Sequence, residues 1–205
     1  MITTLLFDLG GVIVNTEDRL ASLMLAKLGM RAPATLQEQQ QLNKETVLFV
    51  NGLIPTPDYL ALLKQYCPES ITDAQLVEAL LSVLTGIPMP RLLRLKQLRK
   101  HYRIVLLSNI CDVVWQRVVE QLSALGFKPE DLFDQLFLSF QMQLAKPDPR
   151  IYQQVIRQGN LVAAETLYFD DRQENIDAGL AAGLQAVKVD ENFLEDSEEY
   201  QQLQF

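Results

Sequence analysis

The first fifteen residues of the chain read Met1-Ile-Thr-Thr-Leu-Leu-Phe-Asp-Leu-Gly-Gly-Val-Ile-Val-Asn15. The apolar, β-favouring run over residues 4–7 ends abruptly in a carboxylate, Asp8, and two glycines and a second apolar run follow. Such a run is typical of a buried parallel strand, and in open α/β sheets ligands bind outside the carboxyl ends of the strands. We therefore expect Asp8 at a strand tip beside a ligand, although a strand that simply ends in an Asp turn residue has the same pattern.

The composition limits the classes of partner. The chain has 205 residues, of which 48% are hydrophobic and 21% charged, and this is typical of a soluble globular protein. Its formal net charge is −8, and it contains no extended Lys/Arg cluster. This argues against a nucleic-acid partner or an anionic membrane surface. A phosphorylated substrate would have to be attracted by local positive charge or by a metal.

The cysteines and the N-terminal segment bear on the compartment. The two cysteines, Cys67 and Cys111, are far apart in sequence, which argues against a disulfide framework. No uninterrupted apolar segment is long enough to cross a bilayer. The first residues lack the basic and apolar regions of a signal peptide. We expect a cytoplasmic enzyme or binding protein.

The order of predicted elements indicates the fold class. Residues 15–88 show the spacing of about four helices and no convincing strand. From Pro90 onward, strands predicted over 104–107, 136–140, 166–169 and 185–189 alternate with helices. Strands separated by helices imply right-handed crossovers and a parallel sheet. We predict an α/β core formed by residues 1–14 and 90–205, with a helical cap domain inserted as residues 15–89.

Polar residues follow the ends of the predicted strands. Asp8 follows the first, Ser108-Asn109 and Asp170-Asp171 follow two others, and Lys146 comes shortly after the weak strand. In a parallel sheet these groups converge on one edge. Carboxylates brought close together repel one another unless a proton or cation intervenes, and Mg²⁺ prefers oxygen ligands of this kind.

These residue types suit phosphoryl transfer. Asp8 can attack phosphorus to form an acyl-phosphate. Ser108 and the backbone N–H groups after Leu9 can donate to phosphoryl oxygens, and Lys146 can neutralise charge on the transferred group. Each feature also has a purely structural interpretation. Asp pairs are common at helix starts, Ser-Asn is common in loops, and Lys-Pro-Asp-Pro is also a helix-capping turn.

Taken together, four segments resemble the four motifs of the haloacid dehalogenase-like hydrolases, in their order and rough spacing. They are Phe7-Asp-Leu-Gly-Gly-Val12, Leu107-Ser-Asn109, Lys146-Pro-Asp-Pro149-Arg-Ile-Tyr152 and Phe169-Asp-Asp-Arg-Gln-Glu-Asn175. The resemblance covers essentially the whole chain. It implies a Rossmann-like three-layer α/β/α core with a parallel sheet, an inserted all-helical cap and Mg²⁺-dependent hydrolysis of a small phosphorylated metabolite through an aspartyl-phosphate.

The resemblance also assigns roles to individual residues. It makes Asp8 the nucleophile and places Ser108 and Lys146 in the catalytic site. The phosphate-binding group comprises Leu9, Gly10, Ser108, Asn109 and Lys146. The metal-site group comprises Asp8, the carbonyl of Gly10, Asp170 and Asp171.

Gly10 departs from the family pattern, because phosphatases of the family usually carry at this position a second Asp that acts as general acid and base. General acid–base catalysis is typically worth about 10²–10⁴-fold, so poor leaving groups should suffer most. Asn15 cannot serve as an acid, whereas Glu17 and Asp18 can in principle, although both fit a helix start. The Asp-Leu-Gly motif is similar to that of bacterial sugar-phosphate phosphatases, one of which acts on glucose 1-phosphate. An anomeric phosphate has a better leaving group and would lessen the need for an acid.

Two other functions stay open. A dehalogenase of the same family uses an Asp nucleophile, lacks the second Asp and needs no metal. A non-catalytic relative would bind a phosphorylated ligand or a protein partner.

In the cap, Phe49, Tyr59 and Tyr66 fit a helical-bundle core better than a role in substrate selection, and Arg172 fits a solvated helix start. The sequence gives no pattern that predicts an oligomeric state.

Overall fold

A five-stranded parallel sheet with the first strand at its centre organises the molecule. In the computed structural model, which describes residues 1–190 and 192–195, the elements in chain order are β1 (Thr4–Phe7), β2 (Asn15–Thr16), α1 (Arg19–Lys27), α2 (Leu36–Val50), α3 (Thr56–Lys64), α4 (Asp73–Leu81), β3 (Leu84–Gly86), α5 (Met89–Leu98), β4 (Arg103–Ser108), α6 (Asp112–Ala124), α7 (Pro129–Leu132), β5 (Gln135–Leu138), α8 (Ser139–Met142), α9 (Pro149–Gln158), β6 (Thr166–Asp170), α10 (Gln173–Ala181) and β7 (Gln185–Lys188). The strand order is β5-β4-β1-β6-β7, and all neighbouring strands run parallel. The carboxyl ends of β1, β4 and β6 therefore lie side by side.

Helices cover both faces of this sheet. Along β1, Leu5 and Phe7 pack with side chains of α5 and α6, whereas Leu6 packs with side chains of α9 and α10. This alternation follows from the two-residue period of a strand, which sends successive side chains to opposite faces. The predicted three-layer α/β/α core with a parallel sheet is confirmed. Within the described residues, every helix is too short or too polar to cross a membrane.

The segment between β1 and α5 forms the helical block that the sequence predicts. Helices α1 to α4 share an apolar cluster that includes Leu25, Phe49, Leu63 and Leu76, and Cys111 at the start of α6 completes it. The expectation of no strand in this segment is wrong, because β2 and β3 form a short antiparallel pair where the chain leaves and re-enters the core. Two or three residues are too few to show a periodic pattern. The domain bounds at residues 14/15 and 89/90 stay a prediction, and residues 191 and 196–205 of the predicted core lie outside the described residues.

The weak strand predicted over 136–140 ends two residues early. It stops at Leu138 because Ser139 begins the short helix α8. The buried Ser139 hydroxyl accepts from the N–H of Ile110 (2.8 Å) and lies within donating distance of the carbonyl of Val50 (2.8 Å), the last residue of α2. The turn at this position thus joins the core to the helical block.

Candidate active site

Asp8 lies directly after the central strand, and its carboxylate is held in one orientation. Its backbone N–H donates to the carbonyl of Phe169 on β6 (2.9 Å), which extends the sheet pairing by one residue. Its Oδ1 accepts from the N–H of Leu9 (2.7 Å) and lies 2.8 Å from Nζ of Lys146. Both of these contacts fall on Oδ1, which fixes the direction in which the buried carboxylate points.

Lys146 joins two of the strand ends. Its Nζ lies 2.8 Å from Oδ1 of Asp8 and donates to Oδ2 of Asp170 at 2.8 Å. The backbone of Lys146 is held by Asn109, whose amide donates to the Lys146 carbonyl and accepts from the Lys146 N–H, both at 2.8 Å. The Asn109 side chain therefore positions the lysine loop, and the expectation that Asn109 binds phosphate stays a prediction.

Asp170, at the end of β6, is fully buried and surrounded by donors. Besides Lys146, its oxygens accept from the hydroxyl of Tyr168, the amide of Asn175 (2.9 and 3.1 Å) and the N–H of Arg172 (2.9 Å). Burial pushes the pKa of Asp170 upward, but Lys146 and these hydrogen bonds outweigh burial and bring the pKa below its ordinary value. Asp170 is therefore a charged anchor for Lys146. Tyr168 was missed by sequence analysis, although residues two apart on a strand share a face.

The other two carboxylates are destabilised in their charged form. Burial raises the pKa of Asp8 to about 6, with Lys146 opposing this shift and Asp170 adding to it. Burial, aided by the charge of Asp170, also raises the pKa of Asp171. Ligand oxygens of Asp8, Asp170 and Asp171 all lie within 4.8 Å of one another. A hard divalent cation would relieve this repulsion, so the donor set fits Mg²⁺.

Asp8 and Asp171 are the carboxylates placed to face such a cation, because the oxygens of Asp170 are occupied by donors. The backbone carbonyl of Gly10 accepts no hydrogen bond among the described residues, whereas the carbonyl of Leu9 accepts three. Gly10 can therefore offer its oxygen as the sequence predicts. The metal-ligand roles of all four predicted residues stay predictions.

The two glycines after Leu9 have different surroundings. Gly11 has a φ of +72°, and a Cβ at this position would stand 2.5 Å from Oδ2 of Asp171. Only glycine lets the loop pass this close to the carboxylate. A Cβ on Gly10 would instead meet the exposed side chain of Thr16, with Cγ2 at 3.3 Å. Thr16 thus occupies the space beside the position where phosphatases of this kind carry their second Asp.

Ser108 and the loop after Asp8 complete the predicted phosphate site. Ser108 is the buried last residue of β4, and it lines the same cavity as Asp8, Gly10 and Lys146. The N–H of Leu9 already donates to Asp8, so its role in phosphate binding requires that bond to be shared or exchanged. The structure brings all the predicted site residues to one sheet edge, and their contacts with phosphate stay predictions.

This edge opens into a cavity of about 900 Å³ between the sheet and the helical block. The core supplies its charged floor, whereas α1 to α4 supply most of its walls. Phe49 and Tyr59, stacked at 4.1 Å between ring centroids, belong to the apolar cluster of the block as expected and also border the cavity. Arg172, expected to be only a solvated helix start, borders the cavity while pairing with Glu174 (2.5 Å).

The two acids at the entrance of the helical block differ. Asp18 is the N-cap residue of α1, makes no side-chain capping bond and borders the cavity. Glu17 accepts weakly from the N–H of Arg19 (3.4 Å). Of the two candidate substitutes for the missing acid, Asp18 is therefore the one that the cavity contains.

The site as a whole combines a buried carboxylate, an ammonium group bridging it to a second carboxylate, and a third carboxylate able to share a cation. Such a set suits enzymes that transfer a group through a carboxylate nucleophile. The similarity of the chain to known proteins agrees with this chemistry. The chain matches the family model of the haloacid dehalogenase-like hydrolases over residues 2–183. It belongs to this family of hydrolases.

Among curated proteins, the chain is 28% identical over 186 residues to D-ribitol-5-phosphate phosphatase of Bacteroides thetaiotaomicron, covering 90% of each chain. Among solved structures, it is similar to a haloacid dehalogenase (HAD) family enzyme of Bacteroides thetaiotaomicron in complex with magnesium and inorganic phosphate. That similarity has a TM-score of 0.84 and 30% identity over 92% of this chain and 94% of the other. An L-2-haloacid dehalogenase structure aligns with a TM-score of 0.61 and 19% identity over 96% of this chain and 88% of that one, and shows the shared fold alone.

Proposed function

We propose that the protein is a Mg²⁺-dependent phosphatase that hydrolyses a small phosphorylated metabolite through an aspartyl-phosphate on Asp8. The observation that carries this proposal is the clustering of Asp8, Asp170 and Asp171 within 4.8 Å beside Lys146. The D-ribitol-5-phosphate phosphatase relative, which matches over 90% of the chain, supports the same chemistry. A cytoplasmic location and the absence of nucleic-acid and membrane partners stay predictions.

The residues have distinct tasks in the first half-reaction. Asp8 attacks phosphorus, a new bond forms between its carboxylate oxygen and phosphorus, and the bond from phosphorus to the ester oxygen breaks. Lys146 neutralises charge on the phosphoryl oxygens while staying anchored to Asp170, and Ser108 donates a hydrogen bond to one of them. Bound at Asp8, Asp171 and the carbonyl of Gly10, Mg²⁺ would supply further charge neutralisation and orient the phosphoryl group.

The second half-reaction restores Asp8. Water attacks phosphorus, the bond to the Asp8 carboxylate breaks, and inorganic phosphate leaves. Protonation of the alcohol and deprotonation of this water are the steps in which the family's second Asp acts, and Gly10 has no side chain to do so. Of the two acids at the entrance of the helical block, Asp18 borders the cavity, and we assign this proton transfer to it. Substrates with good leaving groups, such as sugar 1-phosphates, depend on it least.

The dehalogenase alternative does not account for the cluster of Asp8, Asp170 and Asp171. Such chemistry needs the Asp nucleophile but no cation, whereas burial and mutual repulsion raise the pKa values of Asp8 and Asp171 here. The likeness to the solved L-2-haloacid dehalogenase shows the fold alone. A non-catalytic binding protein would likewise have no need for the paired contacts of Lys146 with Asp8 and Asp170.

The test is phosphate release from a panel of phosphomonoesters by purified protein, with Mg²⁺ and with EDTA. The panel includes ribitol 5-phosphate, glucose 1-phosphate, glucose 6-phosphate and 4-nitrophenyl phosphate. We expect release with Mg²⁺ that stops in EDTA and returns on adding Mg²⁺ back. Release of halide from 2-haloacids without metal, and no phosphate from any ester, would favour the dehalogenase instead.

A further inference from the structure

The cavity above Asp8 has two chemically different sides. Its charged side chains lie mainly on the core, where Asp8, Lys146 and Asp171 form the floor. The helical block contributes mostly apolar side chains to the walls, and those with accessible surface include Met30, Leu42, Val47, Val50, Leu80 and Val83. A ligand that places phosphate on the floor would therefore extend its organic part along apolar walls.

One of these wall residues is apolar and exposed. Val47 lies on α2 with 57% of its surface accessible and borders the cavity. Small-molecule sites are concave and lined predominantly by apolar side chains, so accessible apolar surface on such a wall is available to a ligand. Val47 therefore points to an apolar ligand surface at this wall.

On α2 and α3, several polar groups of the same walls pair with one another. The hydroxyl of Thr46 pairs with the carbonyl of Leu42 (2.8 Å) and the hydroxyl of Tyr59 (2.9 Å). The amide of Gln39 donates to Asn43 (2.8 Å).

Arg31, which also borders the cavity, has interaction partners of its own. It pairs with Glu38 (3.1 Å) and lies over the ring of Tyr66. A polyol placed along α2 and α3 would give up hydrogen bonds to water for apolar groups and for side chains that already pair with one another, and this is unfavourable.

The size of the cavity agrees with a larger organic group. About 900 Å³ is near the upper end of the usual range for small-molecule sites, which is roughly 300–1,000 Å³ for drug-sized ligands. Such a volume accommodates a chain well beyond the five carbons of a pentitol.

We propose that the preferred substrates are phosphomonoesters of alcohols with an extended aliphatic body, rather than phosphates of fully hydroxylated sugars or polyols. This proposal rests on the phosphatase function proposed above and specifies its substrate class. The phosphate binds at the core floor, and the aliphatic body lies against α2, α3 and α4.

The test compares substrates of equal carbon number and the same primary leaving group. Pentyl phosphate is measured against ribitol 5-phosphate, and hexyl phosphate against sorbitol 6-phosphate, as kcat/KM with Mg²⁺. We expect the alkyl ester to be favoured at least tenfold in each pair. Each added methylene from butyl to octyl phosphate should raise kcat/KM by about threefold to fourfold while it is buried.

A binding measurement separates substrate choice from chemistry. Inhibition by alkylphosphonates, which cannot be hydrolysed, should strengthen from butyl to octyl in the same progression. Val47→Thr should weaken octylphosphonate inhibition about threefold, because it replaces a wall methyl by a hydroxyl. Val162→Thr is the matched control: Val162 is also 57% exposed, does not border the cavity, and its replacement should leave inhibition unchanged.

The outcomes distinguish the two proposals. Equal or faster hydrolysis of the polyol phosphates, with Mg²⁺-dependent activity intact, would overturn the substrate class and leave the phosphatase function standing. Inhibition that is independent of chain length would overturn it as well. Absence of phosphate release from every ester, 4-nitrophenyl phosphate included, would instead overturn the phosphatase function on which it rests.

Discussion

The core and the helical block contribute to the same cavity in opposite ways. On the core side, Asp170 accepts hydrogen bonds from four different residues, and Lys146 is fixed at both its backbone and its ammonium group. On the other side, α2 to α4 present apolar surfaces that pack without strong directional preference. The difference shows how one site separates two tasks. Directional contacts fix the reacting groups, and non-directional contacts select the body of the substrate.

The consequence is that substitutions on the two sides should have different signatures. Changes on the floor should lower turnover for every substrate, because each phosphoryl group meets the same atoms. Changes on the walls should alter the ranking of substrates and leave the chemistry intact. The following predictions test the core side of this comparison, from the largest expected effect to the smallest.

Asp8→Asn should reduce turnover by more than about 10³-fold for every substrate, because the amide cannot form the acyl-phosphate. Steady-state phosphate release with saturating Mg²⁺ measures this. Asp177→Asn, at an exposed position on α10 outside the cavity, is the control and should retain wild-type turnover. Activity of Asp8→Asn within about tenfold of wild type would remove Asp8 from the nucleophile role.

Gly11→Ala should lower kcat/KM about 10²-fold, because its Cβ would collide with the Asp171 carboxylate, and displacements of this size disrupt catalytic geometry. Gly10→Ala, one residue earlier, meets only the exposed Thr16 side chain and should stay within about threefold of wild type. Similar losses in both variants would show that the loop is merely sensitive to any side chain. A Mg²⁺ titration of each variant should show weaker activation in Gly11→Ala alone.

Gly10→Asp should increase turnover of primary alkyl phosphates by about tenfold, because it supplies the missing acid and base. The gain should be small for 4-nitrophenyl phosphate, whose leaving group needs no proton. Gly10→Asn has nearly the same shape without the acid and should give no gain. No change or a loss with Gly10→Asp would indicate that steric effects or the helical block limit turnover instead.

Asp8→Asn should also raise the melting temperature in EDTA at pH 7.5 by a few degrees. The folded-state pKa of Asp8 is about 6 against an ordinary value of 3.8, so the folded chain binds more protons in this window. The free energy of unfolding therefore falls as pH rises from about 4 through about 6, and removing the charge restores it. The gain should vanish toward pH 4, where wild-type Asp8 is protonated.

Asp148→Asn should change the melting temperature in the opposite direction. Its hydrogen bonds with Arg150 hold the pKa of Asp148 below its ordinary value, so the charged form stabilises the fold above pH 3.8. The variant should melt slightly lower than wild type at pH 7.5, and this loss should shrink at acid pH and in high salt. A higher melting temperature for both variants would indicate that removing any negative charge stabilises a chain whose formal net charge is −8.

Much of the core could be predicted from sequence because its signals are local and its geometry is shared. Apolar runs ending in Asp8, Ser108 and Asp170 are visible in the chain, and a parallel sheet necessarily brings its carboxyl ends to one edge. The link of Asn109 to Lys146 was not predictable, because it joins residues 37 apart and the side chain of Asn109 carries no sign of its partner.

The walls were harder to predict because packing and ligand binding share one pattern. Leu63 in the block's core and Val47 on the cavity wall both follow helical apolar spacing, and only the fold shows that one is buried and the other exposed. The approach of Thr16 to Gly10 depends on the β2–β3 pair, whose strands are too short to show a period.

The most direct test of the account is a search for phosphate on Asp8 during turnover. Wild-type protein is mixed with Mg²⁺ and its best substrate, quenched in acid within the first turnovers, digested and examined by mass spectrometry. We predict a phosphoryl group on the peptide containing Asp8, absent in EDTA and in Asp8→Asn. A phosphoryl group on another residue, or none together with undiminished hydrolysis by Asp8→Asn, would contradict it.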